Sequence, residues 1–398
     1  MRKIIWAFCL SMAVCGLKAQ TLPLNTDLLK ALKTAYNKGD KSADKTMGIY
    51  KKAAEKAVNA KAPTVRTKRV APSNDPRDYV SLSRYWWPDS TKADGLPYVR
   101  RDGEVNPEIH DYAASKAAGK MANGVESMAV MYYVTGDTLY ASHCARYLRA
   151  WFTDLKTGMN PNMTYAQIIP GKAVLRGTGV LDAHGICRAL CMSSLLDGYK
   201  GWTSDDRKQL RAWGEAFLYW IEHSTQGQKE RVAKNNHGLW FDVTHMELLA
   251  FLGYPEEVRR VATDDLLGKL DVQIAADGSL PEELARTLSL HYSTYVLEAI
   301  VDAANLAKGV GMNLWQTPTC SGKHISQIVD FLLPYYEDPQ QWQYRQISPF
   351  KQERATVVLY EAGEDCKNDK YLKLARQIGM KDNTKLSNAL YHQLTSNN

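Results

Sequence analysis

Three stretches decide the fold of this chain: residues 204–223 (SDDRKQLRAWGEAFLYWIEH), 238–252 (GLWFDVTHMELLAFL) and 255–274 (PEEVRRVATDDLLGKLDVQI). Apolar residues recur in them at the three- and four-residue spacing of an α-helix with a buried face. The first and third stretches open on helix-start signals, Thr203-Ser204-Asp205-Asp206 and Tyr254-Pro255-Glu256-Glu257. Short connectors, such as the one between 252 and 255, pack successive helices as antiparallel hairpins.

The same periodicity predicts helices along most of the chain. They cover residues 28–36, 46–58, 113–134, 138–155, 180–196, 282–307, 321–335, 352–361, 370–378 and 386–394. Alternating strand patterns are nearly absent, and no repeat of fixed period is found, which argues against a regular solenoid. We therefore expect an all-α fold in which about six to seven helical hairpins close into an α/α toroid. It forms a single domain, residues 20–398, of which 20–76 are N-terminal helices and a linker.

Two segments, 78–108 and 158–178, show no clean period and are rich in Tyr, Trp, Pro, Asn and Gly. Long irregular stretches in a compact protein are usually functional. A closed toroid has a concave end where the loops of many hairpins meet. We expect these two segments to form the rim of that end.

The first residues have the pattern of a secretory signal. Arg2 and Lys3 precede a short apolar run, 4–14, and Leu17-Lys18-Ala19 ends in a small residue, so cleavage is expected after Ala19. Cys15 raises a lipoprotein alternative, but Val14 before it suits that processing poorly. The apolar run is too short to span a bilayer, and no later stretch is long and apolar enough to do so. The mature protein is expected to be periplasmic or secreted, with no membrane span.

Composition is that of a globular protein, with 45% hydrophobic and 23% charged residues. The 50 basic residues exceed the 43 acidic ones; three basic residues leave with the signal, so the mature net charge is +4. This mild excess suits an acidic polymer, and no basic tract typical of nucleic-acid binding is present, so nucleic acid is not an expected partner. The 22 Tyr and 10 Trp against 7 Phe suit stacking on sugar rings, or simply fill gaps between helices.

The cysteines and histidines predict neither a disulfide framework nor a metal site. Cys187 and Cys191 lie four apart in a helical stretch and are interpreted first as buried thiols, second as a bridge. His237 and His245 are eight apart, and His184 has no partner at ligand spacing. No metal and no cofactor is expected.

Four segments hold residue types that suit chemistry, although each has a plain structural interpretation as a cap, a turn or core aromatics. They are 78–103 with YWWPD and PYVRRDG, 160–167 (NPNMTYAQ), 234–238 (KNNHG) and 277–292, which runs from DGSLPEELAR to His291-Tyr292.

The ordered set resembles the alginate lyase superfamily. Asn-Asn-His at 235–237 followed downstream by an Arg and a Tyr is similar to that superfamily's pattern, as are YWWPD, PYVRRDG, YAQ at 165–167 and WQYRQI at 342–347. The resemblance spans residues 60–350 and is closest to polysaccharide lyase family 38, with family 5 more distant. It implies an α/α toroid, no required metal and cleavage of a 4-linked uronic-acid polymer by β-elimination. The polymer expected is alginate, rich in mannuronate, or glucuronan.

The resemblance also implies site residues. The catalytic candidates are Tyr292, His237, Asn236 and Arg286. The substrate-binding candidates are Gln167, Tyr165, Asn235, Arg345, Trp86, Trp87, Tyr98 and Arg100. For Trp86 and Trp87, core packing is an equal alternative to stacking on sugars.

The chemistry needs these residue types. The C5 proton of a uronate becomes acidic only when its carboxylate is neutralised, for which the amide of Asn236 and the guanidinium of Arg286 are suited. In mannuronate and glucuronate the C5 proton and O4 lie on one side of the ring, so Tyr292 could act as both base and acid. A tyrosine pKa near 10 would then have to be lowered by a cation such as Arg286. In guluronate the two atoms lie on opposite sides, and His237 would be the separate base.

One spacing departs from the family pattern. Arg286 and Tyr292 are six apart, whereas family 5 has seven. On a straight helix six residues at about 100° each leave the side chains about 120° apart, so both reach one site only if the helix end is irregular or both face a concavity.

Two other functions remain open. A glycoside hydrolase on a similar toroid would need two positioned carboxylates. Those available are Glu104, Glu108, Asp277, Glu282 and Glu283, none singled out by spacing. A non-catalytic glycan-binding protein of the envelope would also be helical and rich in aromatics.

Overall fold

The computed structural model describes residues 21–173, 175–380 and 385–395. The expected signal peptide, 1–19, lies outside the described residues. The helices of the described part, numbered along the chain, are α1 Thr26–Asn37, α2 Asp44–Val58, α3 Ala114–Thr135, α4 Thr138–Leu148, α5 His184–Met192, α6 Ser204–His223, α7 Thr225–Arg231, α8 Asn236–Leu252, α9 Pro255–Arg260, α10 Leu267–Gln273, α11 Pro281–Leu284, α12 Ser289–Gly309, α13 Ser326–Glu337, α14 Ala355–Cys366, α15 Asp369–Ile378 and α16 His392–Thr395.

Five helices form an inner ring. α8 is apolar around its whole circumference and nearly all of its residues are buried, and α3, α5, α12 and α14 are likewise mostly buried. A helix that is hydrophobic all round belongs inside a protein. Each inner helix packs on the next, in the order α3, α5, α8, α12, α14. α2, α4, α6, α9, α13 and α15 pack on the outside of this ring.

The two ends of the chain close the ring. The 3₁₀ turn Leu386–Tyr391 packs against α1, α2 and α3. Asn25, just before α1, donates its side-chain amide to Glu361 of α14 at 2.8 Å, and Arg188 of α5 donates to the Pro23 carbonyl at 2.5 Å. The expected all-α architecture, an α/α toroid, is confirmed.

Strands in the described residues are few and short. β1 Val80–Leu82 pairs in parallel with β4 Tyr165–Ile168, and β2 Trp86–Trp87 pairs in antiparallel with β3 Val99–Arg100. All four lie in the two segments that lack helical period. The β1–β4 pair joins these segments into one structure at an end of the toroid.

Most helices start and stop close to the boundaries expected from periodicity, but several differ. α14 ends at Cys366, five residues beyond the expected end, and a π-helical segment, Val261–Leu266, separates α9 from α10. The helix expected over 386–394 is a 3₁₀ turn followed by α16. α7 was not predicted, and α13 begins at Ser326, five residues after the expected start. The single helix expected over 282–307 is two helices, α11 and α12, separated by residues 285–288. This break is stabilised from outside the helix, because Leu288 forms a β-bridge with Gln346 and Ser289 donates to the Arg345 carbonyl.

Two further expectations concern the described residues. In that part of the chain, no helix combines the length and the apolarity needed to cross a bilayer. Cys187 and Cys191 are both free and buried, as the first interpretation had it.

Candidate active site

A pocket of about 860 Å³ opens between the rim segments and the ends of the inner helices. Its walls come from 83–86 and Gln167 of the rim, 176–181, the α7–α8 connection, the start of α12, and segments near 350 and 385. Among the described residues, eight cationic side chains line it against three carboxylates. The cations are Arg84, Arg100, Arg176, Lys229, Arg286, Lys351, Arg354 and Lys385. A pocket with this imbalance attracts an anionic ligand.

His237 lies in the first turn of α8 and is held by a carboxylate. Its Nδ1 is 2.5 Å from Oε1 of Glu230, which is buried at the end of α7. An ionised carboxylate only accepts hydrogen bonds, so Nδ1 carries the hydrogen. The neutral ring then has its lone pair on Nε2, the nitrogen that can take a proton.

Asn236 is buried and bound to Glu283 of α11. Its Nδ2 lies 2.9 Å from both carboxylate oxygens of Glu283, and its backbone N–H donates to the same group at 2.6 Å. Its Oδ1 is buried without a hydrogen-bond partner. This differs from the expectation that the Asn236 amide donates to the substrate, because those donors face Glu283. Burial raises the pKa of Glu283, although the bonds from Asn236 oppose the shift.

Arg286 lies in the break between α11 and α12, and its guanidinium is 3.8 Å from the centre of the Tyr292 ring. The six-residue spacing therefore brings the two side chains together, since they do not lie on one straight helix. Asp102 of the rim accepts from Nε of Arg286 at 3.2 Å and from Nη2 at 2.9 Å. Burial opposes the charged form of Asp102, but these bonds hold its pKa well below the usual range.

Tyr292 is almost fully buried, and its hydroxyl is 2.8 Å from that of Tyr85. Burial, followed by the neighbouring Tyr85, raises the pKa of Tyr292, and Arg286 only partly offsets this. Arg286 lowers this pKa, as expected, but burial and Tyr85 outweigh it, so the net shift is upward. A small cationic contribution is outweighed by the cost of an anion in a buried site. Tyr292 thus keeps its hydroxyl proton at neutral pH.

Of the eight residues expected to bind substrate, Gln167, Asn235, Trp86 and Arg100 line the pocket. Gln167 has a left-handed backbone (φ 51°) and donates to Asp182 at 2.8 Å. Asn235 caps α8, accepting from the His237 N–H.

Trp86 has its ring covered by Lys172, whose Nζ is 4.2 Å from the centre, and by Arg176. Arg100 donates to Asp102 at 2.7 Å.

The other four do not line it. Tyr98 donates to Glu108 at 2.5 Å, and Trp87 donates to the Glu104 carbonyl. Tyr165 pairs with Val80 in the β1–β4 sheet. Arg345 is exposed, and its backbone carbonyl accepts from Ser289 at the start of α12.

Four residues of this site were not among the predicted ones: Tyr85, Asp102, Glu230 and Glu283. Tyr85 and Asp102 stand inside the segment 78–103 that was singled out, so their position was a usable signal. Glu283 appeared only as a possible hydrolase carboxylate. Nothing in the sequence indicated Glu230, because it contacts His237 only through the position of α7, a helix that was not predicted.

The carboxylates proposed for a hydrolase do not fit. None of the five expected candidates lines the pocket. Three acidic side chains do line it: Glu353, Glu230, which is bound to His237, and Glu298, which is paired with Arg354 at 2.8 Å. Glu230 and Glu298 are thus committed to basic partners, so the described residues do not favour the pair of positioned acids that hydrolysis needs.

His184 gains acidic neighbours that sequence spacing did not predict. Its ring nitrogens lie 3.5 Å from Glu247 and 3.5 Å from Asp302. The expectation that His184 lacks partners is wrong in the folded chain, because α8 and α12 pack beside α5 and bring these two carboxylates to it.

Comparisons with known proteins assign the chain to a family. The family described as alginate lyase matches residues 64–342. The crystal structure of an alginate lyase from Bacteroides ovatus is 31% identical, with a TM-score of 0.87 over 94% of this chain and 98% of that one.

Two more distant structures share the fold. Alginate lyase A1-III from Sphingomonas species A1 is 17% identical, with a TM-score of 0.59 over 90% of this chain and 93% of that one. A variant of A1-III complexed with a tetrasaccharide is 16% identical, with a TM-score of 0.60 over 89% and 92%. No curated protein sequence matches the chain. The matched residues, more than half of the chain, show that it belongs to the alginate lyase family and is a polysaccharide lyase.

Proposed function

We propose that this lyase cleaves alginate, a 4-linked uronic-acid polymer, by β-elimination in the pocket described above. The observation that carries the proposal is that one strongly cationic pocket holds Asn236, His237, Arg286 and Tyr292 together. The alginate lyases that it resembles in sequence and fold support the choice of polymer.

Arg286 is the group suited to neutralise the uronate carboxylate. Asp102 takes Nε–H and one hydrogen of Nη2, which leaves three of the five guanidinium N–H groups for a ligand. Burial disfavours the charged form, yet Asp102 raises the pKa of Arg286, so the cation persists at any working pH. A fixed cation beside the carboxylate stabilises the negative charge that develops when the C5 proton leaves.

His237 is the base for guluronate units. Its Nε2 takes the C5 proton, the electron pair forms the C4–C5 double bond, and the C4–O4 bond breaks. Tyr292 gives its hydroxyl proton to the departing O4, so atoms and charge balance. Both groups then recover their protonation states from water. The raised pKa of Tyr292 suits this donor role.

For mannuronate units, Tyr292 would have to act as base and acid on one side of the ring. A neutral, buried tyrosine is a weak base, and only the guanidinium 3.8 Å from its ring favours the phenolate. The mannuronate-rich preference and the glucuronan alternative are therefore the finer part of this proposal. The pair formed by His237 and Glu230 supports cleavage of guluronate as well.

The test is product formation on separate polymannuronate, polyguluronate and glucuronan substrates, followed by the ultraviolet absorbance of the unsaturated end. Tyr292→Phe should lower turnover at least about 100-fold on every polymer that the parent cleaves. His237→Gln should lower it mainly on polyguluronate. Tyr344→Phe, an exposed tyrosine outside the pocket, is the matched control.

Normal turnover by Tyr292→Phe would remove Tyr292 from the mechanism. Binding of all three polymers by the parent protein without any unsaturated product would reject the lyase reaction itself. Sizing the products also distinguishes endo from exo action.

We further propose that the protein is exported, with cleavage after Ala19. The basic start, the short apolar run and the small residue at 19 support this. N-terminal sequencing of the protein recovered from its native cells should start at Gln20. A mature chain that keeps Met1, or one lipidated at Cys15, would contradict it.

A further inference from the structure

Behind the active-site pocket, three inner helices bring His184, Glu247 and Asp302 together. One potential ligand atom from each lies within 4.8 Å of the others. His184 comes from α5, Glu247 from α8 and Asp302 from α12. The cluster is separate from the pocket, because none of its members lines it. Two aromatic rings in tilted contact lie between: Trp240 is 4.4 Å from the His184 ring and 4.8 Å from that of Tyr295, which does line the pocket.

Glu247 is the unusual member. Its side chain is 0% exposed, and neither carboxylate oxygen accepts a hydrogen bond within the described residues. Its ion-pair contact is Nδ1 of His184 at 3.5 Å, longer than an ordinary hydrogen bond. A buried carboxylate in this condition costs several kcal/mol unless a cation or proton donor approaches it.

The charges around it do not balance. The guanidinium near the cluster is that of Arg188. It forms ion pairs with Glu126 at 2.7 Å and with Asp302 at 3.3 Å. Three carboxylates therefore share one guanidinium. Even a protonated His184 would leave one negative charge uncompensated among these described side chains.

There is also room beside the cluster. The side chain of His184 remains 22% accessible and that of Asp302 16%, although both lie deep inside the toroid. A small ion fits this combination of open space, unpaired carboxylate oxygens and excess negative charge.

We propose that the toroid interior binds a divalent transition-metal ion between His184, Glu247 and Asp302. One imidazole nitrogen and two carboxylates are a donor set that suits Zn²⁺, whereas Ca²⁺ takes six to eight oxygens. The ion links α5, α8 and α12 directly beneath the pocket. Its role is structural, since the groups assigned to β-elimination lie on the other side of the aromatic pair.

The test uses the purified full chain, stripped with a chelator and then dialysed with ZnCl₂ or with CaCl₂. Mass spectrometry should find about one zinc per chain, and the thermal unfolding temperature should rise with zinc but not with calcium. Glu247→Gln and Asp302→Asn should each lower the retained zinc at least roughly tenfold and remove the shift. The control is Glu361→Gln, which changes another buried carboxylate of the inner ring. This variant should retain zinc and should still gain unfolding temperature when zinc is added, even if it is less stable than the parent without zinc.

If the parent protein retains no zinc and gains no stability from it, the proposal is overturned, and bound protons must supply the missing charge. It is equally overturned if both cluster variants retain zinc as the parent does, since the ion would then be elsewhere. If a variant fails to fold, the zinc content and the unfolding temperature of the stripped and reloaded parent protein decide the question. Lyase activity is a separate readout, so failure here leaves the proposed function untouched.

Discussion

At the scale of single residues, three of the four side chains assigned to catalysis are each positioned by a carboxylate, whereas Tyr292 contacts the hydroxyl of Tyr85. The pairs are His237 with Glu230, Asn236 with Glu283, and Arg286 with Asp102. In each pair the acid comes from a different element than its partner. Charge-assisted hydrogen bonds of this kind fix orientation better than packing does. Glu230 and Asp102 therefore set which atoms of His237 and Arg286 remain for the substrate, whereas Glu283 holds the donors of Asn236 to itself.

Glu230→Gln should slow guluronate cleavage. The amide can turn either its oxygen or its nitrogen to His237, so the ring is no longer held with its hydrogen on Nδ1. We expect kcat on polyguluronate to fall about 10- to 100-fold, with KM little changed and a smaller loss on polymannuronate. Steady-state kinetics on the two polymers measure this.

The chain offers a matched control for that variant. Glu222 contacts Nε2 of His245 at 2.9 Å, another carboxylate–histidine pair, and neither residue lines the pocket. Glu222→Gln should keep the parent's kcat. Equal losses in the two variants would mean that Glu230 acts only through stability.

Glu283→Gln should act through Asn236. The new amide nitrogen would face Nδ2 of Asn236, donor against donor, so the side chain must turn or move. We expect kcat to fall about tenfold or more. If the two residues work as one unit, the double variant Glu283→Gln with Asn236→Ala should be no slower than the worse single variant. Additive losses would contradict this, and Glu282→Gln, the exposed neighbour on α11, should have no effect.

At the scale of elements, the break between α11 and α12 matters most to the site. Residues 285–288 leave the helix because the rim and the segment near 346 bind them. Thr287 donates its hydroxyl to Asp102, and Leu288 bridges to Gln346. The break lets Arg286 turn back over the ring of Tyr292.

Gly103 allows the rim to pack closely against the break between α11 and α12. Its φ is +81°, and a Cβ there would lie 2.6 Å from Oγ1 of Thr287. Gly103→Ala should therefore push the rim away from the break and loosen the Asp102–Arg286 pair. We expect a roughly 10- to 100-fold loss of kcat/KM, because small displacements of a charged group are costly in catalysis.

Gly136 is the control for backbone strain. Its φ is +73°, and a Cβ there would meet nothing within 4 Å. Gly136→Ala should cost about 1 kcal/mol of stability, as a left-handed alanine does, and leave the lyase rate unchanged. A Gly103→Ala enzyme as active as Gly136→Ala would show that the rim contact does not position Arg286.

The same elements show what the sequence could predict. Helices such as α6, whose Ser204–His223 bounds match the expected ones, were readable because one face is buried at a fixed period. The break within 282–307 could not be predicted from this periodicity, because the residues that stabilise it lie near 102 and 346. The pKa direction of Tyr292 failed for a related reason: burial by distant segments outweighed the one cation visible in the motif.

At the scale of the whole molecule, the toroid is held shut by polar contacts between its ends. Glu361 of α14 is 2% exposed and accepts from Asn25 before α1, from Tyr391 in the C-terminal turn and from Lys308 of α12. One carboxylate thus joins the residue before α1, the 3₁₀ turn Leu386–Tyr391 and two inner helices. The pocket depends on this closure, since Lys385 and Asn388 of the C-terminal segment form part of its wall.

Glu361→Ala should therefore weaken the closed ring as a whole. It leaves Tyr391 and Asn25 without their buried acceptor, although Lys308 keeps Asp365 at 2.8 Å. Removal of one partner from a buried charged network costs about 3–5 kcal/mol, which lowers the unfolding temperature by several degrees in a protein of this size. Glu364→Ala, exposed on the same helix, should change it by less than about 0.5 kcal/mol. Because the C-terminal segment lines the pocket, the KM of the Glu361→Ala variant should also be higher than that of the parent at temperatures where the variant is still folded. Calorimetry together with kinetics at a temperature well below unfolding tests both effects, and a variant as stable as Glu364→Ala would show that packing alone closes the toroid.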